Sequence, residues 1–190
     1  MTLPDVALMG RAGAGKDFTA RILQQRWGYR RVALADPVRD AARALDPVVG
    51  TAPGGRLLRL TDVLQRYGWD VAKRRYPEVR RLLQRLGTEV GRDIVGPDIW
   101  LRIAARRVEA LRPAPAVITD VRFPNEVAWC RERGFRLVWV ERPEHLRTCI
   151  GANGTHATET SVGPADAEYT IINDSDAAHI SRCLEKIISD

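Results

Sequence analysis

The 190-residue chain contains little cysteine and no long apolar run. Its three cysteines, Cys130, Cys149 and Cys183, are far apart and form no C-x-x-C pair, so we expect buried free thiols, not a disulfide framework or a zinc site. No apolar stretch reaches the ~18 residues that a membrane-spanning helix needs. The opening MTLPDVALMG lacks the basic flank and cleavage site of a secretory signal. We therefore expect a cytoplasmic protein without a membrane partner.

Aromatic residues are also scarce, at 6% of the chain, so few side chains could stack on nucleic-acid bases. No DNA- or RNA-binding motif is recognised, and a nucleic-acid partner is not expected. Residues 1–112 hold 22 Lys and Arg against 12 Asp and Glu, whereas residues 113–190 hold 8 against 12. We therefore expect an anionic ligand to bind the first part. Only three of the 30 basic residues are lysine, and an arginine excess alone does not separate phosphate binding from nucleic-acid binding or genomic base composition.

Apolar runs alternate with helical patterns, which is typical of a parallel sheet with crossover helices. We predict one α/β domain with parallel strands at 5–9, 31–34, 116–120, 136–141 and 169–172. Helices are predicted at 16–26, 37–44, 61–75, 78–92, 97–111, 125–133 and 176–189. The Gly- and Pro-rich stretch 47–56 is predicted to be a loop. About eighty residues separate the second and third strands, far more than a crossover needs, so we expect a functional insertion at 47–112 in a core of 1–46 and 113–190.

The segment GRAGAGKD at 10–17 follows an apolar strand and opens a helix. It matches the G-x-x-x-x-G-K part of phosphate-binding loops, where glycines let backbone N–H groups surround phosphate oxygens and the lysine reaches the β- and γ-phosphates. The predicted phosphate-binding residues are Gly10, Arg11, Ala12, Gly13, Ala14, Gly15 and Lys16. Asp17 stands where a Ser or Thr usually ligates magnesium, so it is predicted either to hold the metal or only to cap the helix.

The third predicted strand ends in an acid, Asp120. In phosphate-loop enzymes a carboxylate at this place supports magnesium or orients the attacking group. Arg122 follows two residues later, at the edge where open α/β sheets bind ligands. It is predicted to hold a phosphate, with an ion pair to Asp120 or Glu126 as the structural alternative.

One helix of the insertion has two distinct faces at about 100° per residue. The predicted core face holds Val79, Leu82, Leu83, Leu86 and Val90. The opposite face holds Arg81, Gln84, Thr88 and Arg92. This combination suits a nucleotide, because Gln can pair with a base edge and Arg with phosphate, but a plain solvated face remains the alternative. Gly87 and Gly91 on the flank cost helix stability, so we expect something to approach the helix closely there.

Six motifs occur in a specific order: GRAGAGKD at 10–17, LADPVRDAA at 34–42, RLLQRLGTEVGRD at 81–93, ITDVRFPNE at 118–126, HATE at 156–159 and YTIIND at 169–174. Together they resemble one family over most of the chain, the bacteriophage-type deoxynucleoside monophosphate kinases of the P-loop nucleoside monophosphate kinase superfamily. The family's loop also tends to read GKD. A threonine usually follows there, where this chain has Phe18.

The resemblance implies a three-layer α/β fold and phosphoryl transfer from ATP to a deoxynucleoside monophosphate, with magnesium. It implies that Lys16 and Arg122 are catalytic, with Arg142 and Arg147 closing from a lid at about 142–160. Asn173 and Asp174 would lie near the donor adenine, and Asp17 and Asp120 would serve the metal. The residues implied to bind the acceptor are Asp36, Arg39, Arg81, Gln84, Thr88, Arg92, Trp100 and Arg122. For Trp100, packing in the core is the alternative to stacking on a base.

Other functions stay open at this point. Another small-molecule P-loop kinase, such as one phosphorylating dephospho-coenzyme A, would share the loop and an aspartate after the second strand. A nucleotide-dependent nucleic-acid-binding module and a non-catalytic nucleotide sensor are further alternatives. The sequence leaves a homodimer open and does not distinguish which bases are accepted.

Overall fold

A computed structural model describes residues 3–143, 161–174 and 176–190. Contacts within the chain divide it into two compact units. One consists of Met1–Leu34 and Ala104–Asp190, and the other of Ala35–Ile103. Within the described residues, no helix is long and apolar enough to cross a bilayer. The predicted lid falls almost entirely on residues 144–160, so the lid and Arg147 lie outside the part of the chain that the structure describes.

The first unit is built on a sheet of five parallel strands in the order β2-β5-β1-β6-β7. The strands are β1 (Val6–Met9), β2 (Arg30–Val32), β5 (Ala116–Ile118), β6 (Arg136–Glu141) and β7 (Tyr169–Ile172). The three central strands are mainly apolar because helices cover both faces of the sheet. This arrangement confirms the predicted α/β class and its five parallel strands.

Helices pack on the two faces of this sheet. On one face, α1 (Lys16–Trp27) and α7 (Ala177–Ser189) bury Leu23 and Leu184 against Val138 and Val140 of β6. Because side chains alternate along a strand, Leu137 and Trp139 point to the other face, and α6 (Pro124–Glu132) also contacts β6. The last part of α5 (Ile99–Ala110) belongs to this unit. The result is the expected three-layer arrangement.

The second unit is mainly helical. It contains α2 (Asp36–Leu45), α3 (Leu60–Arg75) with a kink at Gly68, α4 (Pro77–Gln84) and a π-helix (Arg85–Val95). Its core consists of Ala42, Val49, Leu60, Val63, Ala72 and Val79. Because Ala42 of α2 is part of that core, the unit begins at residue 35 and not at residue 47, where the sequence pattern placed the insertion.

Two predictions for the second unit are wrong. The stretch 47–56 is not a plain loop, because β3 (Val48–Thr51) pairs antiparallel with β4 (Leu57–Arg59) across a turn. The helix predicted at 78–92 is in fact two helices that meet at residue 85. In the second one the backbone N–H groups bond to carbonyls five residues earlier instead of four, as in the 2.9 Å bond from the Gly96 N–H to the Gly91 carbonyl. The wider turn changes the angle between successive side chains. Val90 is therefore 43% exposed and not part of the core.

The two cysteines in the described part of the chain are free thiols. Cys130 is buried, and burial, helped by the nearby Glu126 carboxylate, raises the pKa of its thiol. A thiol with a raised pKa stays protonated at neutral pH and is a poor nucleophile. Cys183 is only half-buried, which corrects the expectation that both are buried.

Candidate active site

The glycine-rich loop connects the end of β1 to the start of α1. Gly10, Gly13 and Gly15 all have positive φ, at 140°, 77° and 99°. A Cβ at Gly10 would collide with the Val140 carbonyl oxygen, and one at Gly15 would collide with the Asn173 amide. The loop is therefore a close-packed cradle that only glycine permits. It ends at the N-terminus of α1, where backbone N–H groups and the helix dipole favour an anion.

Lys16 is the first residue of α1 and its side chain lies over the loop. The ammonium group donates to the Gly10 carbonyl at 2.6 Å and to the Arg11 carbonyl at 3.0 Å. These bonds place the positive charge at the loop, within the cavity that the loop lines. The predicted phosphate-binding lysine is thus brought to the predicted phosphate-binding backbone.

Asn173 follows β7 and holds the loop from the side. Its Nδ2 donates to the Ala14 carbonyl at 2.9 Å, and its backbone N–H donates to the Glu141 carbonyl. The side chain is buried, so this bond is shielded from water. The structure thus gives Asn173 a contact with the loop itself, which the sequence pattern did not reveal. Asp174, the next residue, is exposed.

The two predicted metal carboxylates have different surroundings. Asp120 follows β5, the strand beside β1, and its Oδ1 accepts a 2.7 Å hydrogen bond from the Leu34 N–H. The Asp17 side chain is 79% exposed and faces Arg31 at 4.0 Å. Thr19, the next hydroxyl residue after Lys16, is fully buried and its Oγ1 donates to the Gly15 carbonyl. Of these groups, Asp120 has the better placement for a metal at the phosphate loop.

Within the described residues, no group of three or more His, Cys, Asp or Glu side chains is arranged to hold a metal ion. In kinases, magnesium is held by one or two carboxylates together with substrate phosphates and water.

Arg122 is exposed and lines the same cavity as Gly10 and Lys16. Its position is fixed through its backbone, because the buried Glu126 carboxylate accepts hydrogen bonds from the Arg122 N–H at 2.7 Å and the Phe123 N–H at 3.1 Å. In the described part of the chain, the Arg122 guanidinium forms no ion pair. The alternative of an ion pair with Asp120 or Glu126 is therefore not observed.

Trp139 of β6 is a further residue of this cavity. It pairs in register with Met9, the last residue of β1, so the loop that follows β1 passes beside it. The side chain is only 5% exposed, yet its Nε1 has no hydrogen-bond partner in the described structure. Buried donors are normally paired, and an unpaired one needs an explanation. Only the register of β1 against β6 reveals this position.

In the second unit, some of the predicted acceptor residues lie near one another. Asp36 and Arg39 form an ion pair of 3.2 Å in the first turn of α2. Val38, also in the first turn of α2, lies close to Gly87 of the π-helix: a Cβ on Gly87 would be 3.7 Å from the Val38 side chain. The first turn of α2 therefore contacts the π-helix beside Thr88. Arg81 instead pairs with Glu78 at 2.8 Å. Gln84 is exposed, and Arg92 is half-buried on the π-helix.

Trp100 packs against the π-helix. Its Nε1 donates to the Gly87 carbonyl at 2.8 Å, and a Cβ at Gly91 would overlap the indole ring. The close approach expected at the two glycines is therefore made by Trp100 and Val38 of the same unit. This contact favours the packing role of Trp100 over stacking on a base.

Arg142 directly follows β6 and is half-buried. The carboxyl ends of parallel strands lie at one edge of a sheet, so Arg142, Asp120, Asn173 and the loop after β1 belong to the same edge. This is the edge at which open α/β sheets bind ligands.

A five-stranded parallel sheet with a glycine loop and Lys16 at its binding edge defines a P-loop NTPase fold. Comparison with known proteins agrees with this fold and identifies the family within it. Residues 64–184, more than half of the chain, match the family of deoxynucleotide monophosphate kinases. The chain is 31% identical to the deoxynucleoside-5'-monophosphate kinase of Escherichia phage T5, over 67% of this chain and 71% of the phage protein. The chain belongs to the deoxynucleotide monophosphate kinase family.

Two further proteins are similar. A protein of Acanthamoeba polyphaga mimivirus that carries the name of the same kinase is 29% identical, over 83% of this chain and 81% of its own. The crystal structure of TT1252 from Thermus thermophilus superposes with a TM-score of 0.52 at 20% identity, covering 98% of this chain and 96% of that one. At that identity the likeness supports the fold alone.

Proposed function

We propose that this deoxynucleoside monophosphate kinase takes the γ-phosphoryl group from ATP, with magnesium, and uses the residues described above to hold the two substrates. One observation carries the proposal. Lys16 on the glycine loop and Arg122, whose guanidinium forms no ion pair within the described residues, line the same cavity. Two cations converging on one cavity suit a reaction in which both reactants carry phosphates.

For the donor, the glycine cradle and its backbone N–H groups would bind the ATP phosphates, and Lys16 would exchange its carbonyl partners for β- and γ-phosphate oxygens. Asp120 would hold magnesium, which would neutralise negative charge on the phosphates. The exposure of Asp17 and its approach to Arg31 support a secondary role for that carboxylate. Asn173 would keep the loop in its binding conformation.

For the acceptor, Arg122 would hold the monophosphate, and Asp36, Arg39, Thr88 and Arg92 would contact the nucleoside. Gln84 and Arg81 complete the proposed set, and Trp100 would support the π-helix that carries Thr88 and Arg92 through its hydrogen bond to the Gly87 carbonyl. Arg142 and Arg147 would neutralise the phosphoryl group during transfer. No general base is needed, because the attacking phosphate oxygen is already anionic. The protein's contribution is therefore to position two anions in line and to neutralise their charge.

Trp139 adds a donor to this site. An indole N–H that is buried and unpaired, on a residue that lines the cavity of Lys16 and Arg122, costs stability unless something satisfies it. A substrate phosphate oxygen would satisfy it. We assign Trp139 to phosphate binding on this ground.

The experiment that tests the proposal measures ADP release from ATP and magnesium with each deoxy- and ribonucleoside monophosphate and with dephospho-coenzyme A. Release that depends on deoxynucleoside monophosphates and is lost in Lys16→Ala supports it. Release only with dephospho-coenzyme A, or without any acceptor, would overturn it. Arg21→Ala serves as a control, because Arg21 lies on the exposed side of the same helix.

A further inference from the structure

A second cavity lies in the second unit, between the β3–β4 hairpin and α3. Its volume is about 400 Å³, within the range of small-molecule sites. Three arginines, Arg56, Arg66 and Arg75, line it together with the apolar groups of Leu58 and Val63. We call it the hairpin cavity. Of the residues assigned above, none that the structure describes lines it.

Aromatic rings, not carboxylates, hold two of these arginines. The guanidinium carbons of Arg66 and Arg75 lie 5.3 Å and 4.9 Å from the centre of the Tyr67 ring. Tyr76 lies 6.2 Å from Tyr67, centre to centre. In the described structure, neither arginine forms an ion pair. Two cations held on one ring repel each other, and an anion placed between them relieves that repulsion.

The charge of the hairpin cavity is strongly positive. Among the described residues that line it, Asp62 alone is acidic, against the three arginines. Arginine suits phosphate better than other anions because its planar fork donates two parallel hydrogen bonds. The Tyr76 ring and the neighbouring apolar side chains provide a surface for an aromatic or apolar group. The cavity thus combines the two surfaces that a nucleotide needs.

None of the described acceptor residues of the same unit lines the hairpin cavity, although the Arg39 guanidinium reaches α3 at Trp69, 6.0 Å from the ring centre. Asp36 and Arg39 lie in the first turn of α2, a helix of ten residues and therefore about 15 Å long. The hairpin follows the other end of α2, where Asp46 accepts hydrogen bonds from Arg59 and Thr61. The base of the hairpin and the first turn of α2 thus lie at opposite ends of the helix.

We propose that the hairpin cavity binds a nucleoside di- or triphosphate, separately from the reacting nucleotides. Arg56, Arg66 and Arg75 bind the phosphates, and Tyr76 with its apolar neighbours contacts the base. This assignment goes beyond the phosphoryl transfer described above and uses none of its residues.

The test is isothermal titration of the full chain with dTTP. The wild type binds two equivalents, one at the phosphate loop and one in the hairpin cavity. The double variant Arg66→Ala/Arg75→Ala binds one. The control Arg74→Ala, an exposed arginine of the same helix outside the cavity, binds two. A wild type that saturates at one equivalent, or a double variant that keeps both, overturns the proposal.

Further arms separate the sources of binding. Arg56→Ala, on the exposed turn, weakens the second equivalent about tenfold, as expected for one charged hydrogen bond lost. Inorganic tripolyphosphate competes at the second site more weakly than dTTP, and thymidine does not compete. If tripolyphosphate binds as well as dTTP, the nucleotide assignment is wrong. If oligo(dT) displaces dTTP and binds more tightly than dTTP does, the cavity is a site for single-stranded nucleic acid and the proposal is wrong.

Turnover distinguishes this proposal from the preceding one. The double variant keeps the wild-type kcat and acceptor KM within about twofold, because none of the described acceptor residues lines the cavity. A large rise in acceptor KM would make the cavity part of the acceptor site and overturn its independence. If the wild type itself shows no acceptor-dependent turnover, the kinase proposal fails while the binding stoichiometry still decides this one.

Discussion

The Asn173 amide donates a 2.9 Å hydrogen bond to the Ala14 carbonyl, so the residue after the last strand fixes the phosphate loop. The same amide occupies the space that a side chain at Gly15 would need. The end of β7 and the loop after β1 are thus interlocked, although 159 residues separate the two partners in sequence. A loop held in this way presents its N–H groups without reorganisation when the nucleotide binds.

The first prediction concerns this bond. Asn173→Ala should raise the KM for ATP about 3- to 10-fold, the equivalent of one ordinary hydrogen bond. The affinity of the variant for inorganic tripolyphosphate should fall by the same factor, because the bond shapes the phosphate loop and not the part of the site that binds adenine. Thr170→Ala, an exposed change on the same strand, should alter neither value. A loss confined to ATP would show that Asn173 contacts the adenine instead.

The second prediction concerns Trp139. Trp139→Phe removes the buried N–H and keeps most of the ring, so we expect kcat/KM to fall about 10-fold. The urea midpoint should stay unchanged or rise, because an unpaired buried donor is removed. Trp129→Phe, a half-buried indole that packs on Phe135 outside the cavity, is the control. Unchanged kinetics with a lower midpoint would leave Trp139 a core residue only.

The third prediction concerns Arg122. Arg122→Ala should lower kcat/KM for the deoxynucleoside monophosphate about 10- to 100-fold, the range expected for a lost hydrogen bond to a charged group. The Kd for ATP should change less than about threefold. Arg182→Ala, an exposed arginine on α7, should change neither. A collapse of ATP affinity would contradict the assignment of Arg122 to the acceptor.

The fourth prediction is a pH dependence in the second unit. The Thr61 N–H donates to the Asp46 carboxylate at 2.8 Å and lowers its pKa, with further help from the Thr61 hydroxyl and the Arg59 charge. A lowered pKa in the folded state adds stability above the unfolded value of about 3.9, and that stability is lost as the pH falls through the folded value. Asp46→Asn should therefore be less stable than the wild type at pH 7 and at pH 5.

Below about pH 4 the difference between the wild type and Asp46→Asn should begin to shrink, and it should disappear once the pH falls below the lowered pKa of the folded carboxyl. Urea midpoints at several pH values test this. Asp70→Asn, an exposed aspartate of α3, should follow the wild type throughout. A difference between wild type and Asp46→Asn that is the same at every pH would mean that the charge of Asp46 is not its source.

Local sequence signals were sufficient for the phosphate loop and the sheet. Gly10, Gly15 and Lys16 form a motif whose parts are adjacent in sequence, and the strands are apolar because both of their faces are buried. The predicted strands are therefore confirmed within a few residues in position, and the glycine loop lies where it is predicted, between β1 and α1. The strand predicted to end at Asp120 ends at Ile118, which places the carboxylate just beyond the sheet.

Other features depend on contacts between distant segments. Asn173 acts on Ala14, and Trp139 enters the cavity because β6 lies beside β1 in a particular register. Neither contact could be predicted from the residues next to it in the sequence. The hairpin after α2 was missed because its Gly- and Pro-rich turn dominates the pattern at 47–56. Val90 was misplaced because a constant helical angle does not hold through a π-helix.

The most direct measurement follows the phosphoryl group itself. ATP labelled at the γ-phosphate is incubated with magnesium and each deoxynucleoside monophosphate, and the products are separated. The account predicts label in the deoxynucleoside diphosphate, none in free phosphate beyond background, and loss of transfer in Lys16→Ala with the fold intact. Label released only as inorganic phosphate, or transfer that survives in Lys16→Ala, would contradict it.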